Sequence, residues 1–139
     1  MGLLDVKVDI VWFKRDFRLE DHAPINEVAT SNNNFLGIFV IEPSRLREND
    51  TDPIHIDWEI QCAVELQSRI RELGGEMLIL YDEIIDVFVK LSKEYQISNI
   101  YSHEEIGTEW SYRRDIQFGE WCKSRELNWK EFPTNAVVR

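Results

Sequence analysis

The chain has 139 residues, the size of one domain with a substantial core, and its 43% hydrophobic and 30% charged content is ordinary for a globular protein. Sixteen basic against 26 acidic side chains give a net charge of −10, which excludes the basic face that a nucleic-acid-binding domain needs. No apolar run approaches the length of about 18 residues that would suggest a membrane span, and the acidic start does not resemble a secretory signal.

The first predicted strand covers residues 8–13, a short apolar and β-branched run typical of a strand buried on both faces of a parallel sheet. Asp21 and Pro24 indicate the start of a short helix, because proline is tolerated in a first helical turn. A serine and asparagine cluster at residues 31–34 ends that helix. A second buried strand is predicted at residues 35–41, before a proline that cannot donate to a sheet ladder.

A polar loop with at most one helical turn is predicted at residues 45–52, followed by a long amphipathic helix. Its apolar positions recur every three or four residues, the period of one helix face: Ile56, Ile60, Ala63, Leu66, Ile70 and Leu73. Gly74 ends this helix, and a third strand is expected at residues 77–81. Asp82 is the predicted cap of the next helix. The apolar face of that helix comprises Ile84, Phe88, Leu91 and Tyr95.

The last third of the chain repeats the same alternation. A fourth strand is predicted at residues 97–101 and a loop at residues 102–107. Thr108 is the expected cap of a helix that runs to about Arg125. A fifth strand at residues 129–132 is followed by a segment that we expect to lead outward from the sheet.

Strands that alternate with helices through five rounds predict an α/β fold with helices on both faces of a parallel sheet. Right-handed crossovers leave few possible topologies. We predict a single domain over residues 1–139, a three-layer α/β/α structure with a five-stranded parallel Rossmann-like sheet of order 3-2-1-4-5.

Several common enzyme classes lack their motifs here. The turn after the first strand contains no glycine, there is no Gly-Lys-Ser/Thr phosphate-binding loop, and no Gly-x-Ser-x-Gly elbow occurs. Cys62 and Cys122 have no metal-type or redox spacing, so we expect two reduced thiols in a cytoplasmic protein. The sequence therefore predicts no catalytic residue.

A cluster of charges follows the first strand, where ligands of open α/β sheets usually bind. In the predicted order, Lys14 and Arg15 face Glu104 or Glu105, which follow the adjacent fourth strand. Two interpretations use the same residues: an ion pair between two loops, or a ligand pocket. Trp110 begins a helix beside this acidic loop, whereas core packing explains the other four tryptophans.

The three histidines, His22, His55 and His103, lie in three different loops or helix starts. His22 and His103 follow adjacent central strands, so they are candidates to converge at the carboxyl edge. No cysteine or second histidine stands at a familiar metal-ligand spacing, so no metal site is predicted. Surface or capping roles are the simpler interpretation.

Residues 12–24 resemble the opening signature of the DNA photolyase/cryptochrome family, in which an arginine usually stands at Lys14 and a leucine at Phe17. Residues 101–115 and 131–139 are also similar to that family. The resemblance implies the family's N-terminal α/β domain, which cradles an antenna chromophore, a folate or a deazaflavin, at the carboxyl edge of the sheet. A separate helical domain, absent from this chain, holds FAD and the DNA groove and reverses pyrimidine dimers under blue light.

The resemblance also implies candidate cofactor-binding residues. Arg15 stands at the family's second arginine, near the antenna in deazaflavin-binding members, and Lys14 takes the place of the first. Glu104 stands where those members have an antenna-contacting aspartate. Glu109 matches a glutamate that holds folate, and Thr108 replaces the asparagine that usually precedes it.

Two alternatives remain open from the sequence. Cryptochrome-type blue-light receptors share this domain without repair activity. A nucleotide-binding module can share the sheet order, but it predicts a glycine-rich loop near the last strand, which this chain lacks. Under the photolyase interpretation we expect a monomer that is inactive alone, whose partner is its own C-terminal FAD-binding domain and which contacts neither nucleic acid nor membrane.

Overall fold

A computed structural model describes residues 6–20, 22–29, 33–48, 51–105 and 107–133. The expected helix signal at Asp21 and the expected outward segment at residues 134–139 lie outside the described residues. Within the described part, no helix combines the length and the hydrophobicity that are needed to cross a bilayer.

Five parallel strands form one sheet of order β3-β2-β1-β4-β5, so the predicted fold class and topology are confirmed. The strands are β1 (Lys7–Phe13), β2 (Asn34–Ile41), β3 (Glu76–Tyr81), β4 (Gln96–His103) and β5 (Asn128–Phe132). The helices are α1 (Ala23–Ala29), α2 (Pro43–Leu46), α3 (Pro53–Glu72), α4 (Ile84–Glu94) and α5 (Glu109–Ser124).

The central strand β1 separates two hydrophobic cores because its alternate side chains point to opposite faces. Ile10 and Trp12 pack with α4 and α5 on one face, whereas Val11 and Phe13 pack with α1 and α3 on the other. All four side chains are at most 2% exposed, which is why this strand reads as a continuous apolar run. Burial of each such side chain contributes about 1.5–3 kcal/mol.

Several predicted boundaries differ from the structure. Leu73 lies beyond the end of α3 and is 77% exposed, so it does not belong to the apolar face; Gly74 follows in the left-handed conformation with φ of 89°. The residue that directly precedes α4 is Glu83, and not the predicted cap Asp82. The Asp82 carboxylate accepts a hydrogen bond from the Glu83 amide at 2.9 Å, which lies before the helix begins. Pro43 begins the short helix α2.

Strand β4 is longer than predicted, and this changes the site. Ser102 and His103 were expected in a loop, but they pair with Glu131 and Phe132 of the edge strand β5. The sequence around residues 102–103 does not reveal the longer strand, because its backbone hydrogen bonds are made with β5, about 29 residues further along the chain. The Thr108 cap is confirmed: its hydroxyl oxygen accepts from the Ser111 amide at 3.2 Å.

Candidate functional site at the carboxyl edge of the sheet

The carboxyl ends of β1, β2 and β4 meet at one edge, and the sheet changes winding direction between β1 and β4. The segments after these strands and the start of α5 therefore bring charged residues together. They form an ion-pair network, a cavity and a histidine–aspartate cluster.

Arg114 on α5 is the centre of the ion-pair network. Its guanidinium contacts Glu42 and Glu105, and its Nε donates to Asp115 at 2.7 Å. The guanidinium carbon also lies 4.8 Å from the ring centre of Trp12. Burial raises the pKa of the Glu42 carboxyl, and Arg114 opposes that shift. The network joins the end of β2, the loop after β4 and α5.

The predicted juxtaposition of the two charged loops is confirmed for one pair: Arg15 Nη2 lies 3.2 Å from Glu105 Oε2. Lys14 does not face Glu104 or Glu105 in a direct ion pair, and its ammonium instead lies 3.3 Å from Asp115 and 4.3 Å from the ring centre of Trp12. Burial lowers the pKa of Lys14. The Lys14 side chain is therefore buried between Trp12 and Asp115.

Thr108 and Arg15 line one cavity of about 300 Å³, which we call the Arg15 cavity. Its other lining residues come from α2, α3 and the loop between them: Arg45, Glu48, Thr51, Asp52, His55, Trp58 and Glu59. The charge of the lining is mixed, since Arg15 and Arg45 stand beside Glu48, Asp52 and Glu59. The Trp58 indole is 59% exposed, contrary to the core packing expected for it, and offers a flat surface to a ring.

The remaining sequence-predicted residues lie elsewhere. Glu104 lines an open groove between α5 and β5, on a different side from the Arg15 cavity, and its backbone amide donates to Phe132 at 2.7 Å. Glu109 is exposed in the first turn of α5. Trp110 donates from its indole nitrogen to the Ser44 hydroxyl at 3.0 Å and packs on Arg114. The structure thus brings Arg15 and Thr108 together but not all five candidates.

Asp16 accepts hydrogen bonds from two histidines on a single carboxylate oxygen. His22 Nε2 lies 2.5 Å and His103 Nδ1 2.7 Å from Asp16 Oδ2. The Ile25 amide donates to Nδ1 of His22 at 3.2 Å, so His22 caps α1 as the sequence suggested. His103 is buried, contrary to the expected surface or capping role, because β4 extends to it. His55 is exposed on α3.

Sequence reasoning missed Arg114 as the organising cation. Its spacing of four residues from Trp110 was the available signal, since residues four apart lie on one helix face. The sequence did not show that this face points inward, because the helix is polar on most of its surface.

A sequence profile of the DNA photolyase family matches residues 9–139. Among curated relatives, a deoxyribodipyrimidine photo-lyase from Synechococcus is 25% identical over 97 residues, which are 70% of this chain and 20% of that protein. A cryptochrome DASH from Gloeobacter violaceus is 22% identical over 141 residues, covering 98% of this chain and 26% of its own length.

Among solved structures, the archaeal photolyase from Sulfolobus tokodaii superimposes with a TM-score of 0.81 at 22% identity, over 95% of this chain and 30% of that chain. Its published description mentions two FAD molecules and a novel light-harvesting cofactor. The chain therefore spans about a fifth to a third of the length of the proteins it matches. The profile match, which covers nearly the whole sequence, shows that this chain belongs to the DNA photolyase family.

Proposed function

We propose that this chain is the antenna-type domain of a photolyase-like flavoprotein and that the Arg15 cavity binds a light-harvesting chromophore, a folate or a deazaflavin. The observation that carries the proposal is the meeting of Arg15 and Thr108 at one concave site on the carboxyl edge. Ligands of open α/β sheets bind at this place. The description of a light-harvesting cofactor in the Sulfolobus tokodaii photolyase supports it by analogy.

Arg15 is the charged donor of the cavity that remains available to a heterocyclic ligand. The Arg15 side chain is 49% exposed, so most of its donors remain accessible beside the single contact with Glu105. Arg45 is held by two parallel hydrogen bonds to Glu59, at 2.7 and 2.8 Å, which fixes one guanidinium in the wall. Trp58 offers a flat apolar surface on which a ring can stack.

The cavity volume of about 300 Å³ is at the lower end of small-molecule sites, so it fits one ring system better than a whole dinucleotide. In this proposal Arg15 donates to an oxygen of the ligand, Arg45 stays paired with Glu59 as part of the wall, Trp58 orients the ring and Thr108 positions the start of α5. Light absorption and energy transfer are properties of the chromophore, and the protein supplies binding and orientation.

For the whole protein we propose blue-light-driven reversal of pyrimidine dimers by reduced FAD in a separate C-terminal domain, with this chain inactive alone. The photo-lyase relative supports repair. A second candidate is a cryptochrome-type blue-light receptor without repair activity, which the alignment with the cryptochrome DASH over 98% of this chain supports. A repair assay under blue light, on the longest natural form of the protein purified in the dark, distinguishes the two.

The chromophore proposal is tested by titrating the 139-residue chain separately with methenyltetrahydrofolate, a hydroxylated deazaflavin and FAD, following fluorescence anisotropy. We expect saturable binding of at least one of the first two. Arg15→Ala should weaken it about tenfold, the equivalent of one charge-assisted hydrogen bond. Arg113→Ala is the matched control, because Arg113 is an exposed arginine that lines a different cavity.

Two results would contradict this assignment. If none of the three compounds binds saturably, the cavity is not an antenna site on this domain. If Arg15→Ala and Arg113→Ala weaken binding equally, the ligand responds to overall charge and not to the Arg15 cavity.

A further inference from the structure

Two histidines and an aspartate from distant parts of the chain meet at the carboxyl edge of the sheet. Asp16 lies three residues beyond β1, His22 directly precedes α1 and His103 is the last residue of β4. Their ligand atoms, one from each residue, all lie within 4.8 Å of one another. The side chains are 11%, 0% and 10% exposed, so the cluster is buried but not sealed from solvent.

We propose that Asp16, His22 and His103 form a binding site for a divalent transition-metal ion of the zinc class. Two imidazole nitrogens and one carboxylate oxygen are a ligand set that Zn²⁺ and its neighbours in the first transition row accept. Three protein ligands leave a fourth position for water or an exogenous ligand.

The ligands are oriented by their surroundings. The Lys14 amide donates to Asp16 Oδ1 at 2.8 Å, which holds that oxygen and presents Oδ2 to the two histidines. Hydrogen bonds from both histidines help to keep the pKa of Asp16 well below its usual range, against its burial. The Phe13 ring, 5.2 Å from the His22 ring between centres, adds an apolar wall.

Metal binding requires a small and specific rearrangement. In a tetrahedral zinc site with bonds of about 2.0–2.1 Å, ligand atoms lie about 3.3 Å apart. The two separations between Asp16 Oδ2 and the histidine nitrogens are 2.5 and 2.7 Å, and each has to lengthen by less than about 1 Å. The two histidine nitrogens, which lie within 4.8 Å of each other, have to reach the same separation of about 3.3 Å.

Each histidine also has to shift one proton. The amide of Ile25 now donates to Nδ1 of His22, so the His22 proton lies on Nε2. To coordinate through Nε2, His22 transfers that proton to Nδ1 and releases the Ile25 amide. His103 transfers its proton from Nδ1 to Nε2 in the same way. No net proton is released, and the Ile25 amide gives up its imidazole acceptor.

The test uses the 139-residue chain, freed of metal with a chelator and titrated with Co²⁺ and then Zn²⁺. We expect one equivalent of Co²⁺ to bind, with visible absorption bands of a low-coordinate site, and Zn²⁺ to displace it. Asp16→Asn and His103→Asn should each weaken binding more than about tenfold, since even groups that only orient a metal ligand are worth that much. The matched control is Asp57→Asn, which alters an exposed aspartate on α3 and should bind as the parent does.

The parent chain also provides a readout that does not depend on variants folding. The imidazole nitrogen spectrum should show the proton moving to Nδ1 in His22 when Zn²⁺ is added. The proposal is overturned if neither ion binds saturably, if the imidazole nitrogens do not respond, or if Asp57→Asn weakens binding as much as Asp16→Asn. In each of those cases the cluster is a hydrogen-bonded brace between β1, α1 and β4.

Discussion

At the carboxyl edge of the sheet, one buried arginine joins three carboxylates that come from different parts of the chain. Arg114 is 9% exposed, and its partner Glu42 is 4% exposed at the side chain. Replacing Arg114 by methionine leaves Glu42 buried without its cation. We expect this to lower the free energy of unfolding by about 3–5 kcal/mol, measured by urea denaturation.

The neighbouring residue is a control for this prediction. Arg113 is exposed on the same helix, so Arg113→Met should change the free energy of unfolding by less than about 0.5 kcal/mol. Equal effects of the two substitutions would mean that helix propensity or net charge, and not the buried network, accounts for the loss.

The two cysteines differ in accessibility. Cys122 is 2% exposed, and burial raises its pKa to about 12, so its thiolate is scarce even in mildly alkaline solution. Cys62 on α3 is half-buried. We expect the aromatic disulfide DTNB to modify one thiol in the native chain and two after denaturation in urea.

The control for this experiment is Cys62→Ser, which should leave the native chain unreactive. A native Cys62→Ser chain that still reacts rapidly would show that α5 opens often enough to expose Cys122. Such opening would be inconsistent with the tight packing of Cys122 in the core beside Phe118.

At the scale of elements, local pattern predicted most strands and helices, but not the contacts that depend on a partner far away in the sequence. The central strand was predictable because every side chain from residue 8 to 13 is buried or nearly so. His103 was not, since its place in β4 depends on pairing with Phe132. The Asp16, His22 and His103 cluster needs three chain segments, 87 residues apart at the extremes, so its members have no shared spacing.

The N-terminus of α5 depends on Thr108, which is also a candidate chromophore-binding residue. Thr108→Ala removes the acceptor for the Ser111 amide and should lower the free energy of unfolding by about 1 kcal/mol. Thr108→Ser retains that oxygen and should be nearly neutral. Urea denaturation of both variants measures the effect.

This pair also separates structural from binding roles. If Thr108→Ser weakens chromophore binding while it retains parental stability, the threonine methyl group contacts the ligand directly. If alanine and serine destabilise the chain equally, the cap contributes nothing and the helix is held by packing alone.

For the whole molecule, the distribution of charge follows from the sheet edge. The cations that cluster there are engaged with carboxylates: Lys14 with Asp115, Arg15 with Glu105 and Arg45 with Glu59. Because these basic side chains form ion pairs within the chain, they do not make up a basic face of the kind that binds phosphate groups. A surplus of ten negative charges remains over the whole chain.

This charge leads to a prediction about DNA. A domain of net charge −10 repels the phosphate backbone, so the isolated chain should show no binding to a labelled DNA duplex at about 0.15 M salt, with or without pyrimidine dimers. Fluorescence anisotropy measures this directly. Lowering the salt should not produce binding, because repulsion between like charges grows as screening falls. Binding that strengthens steeply at low salt would instead reveal a basic face on this chain and contradict the prediction.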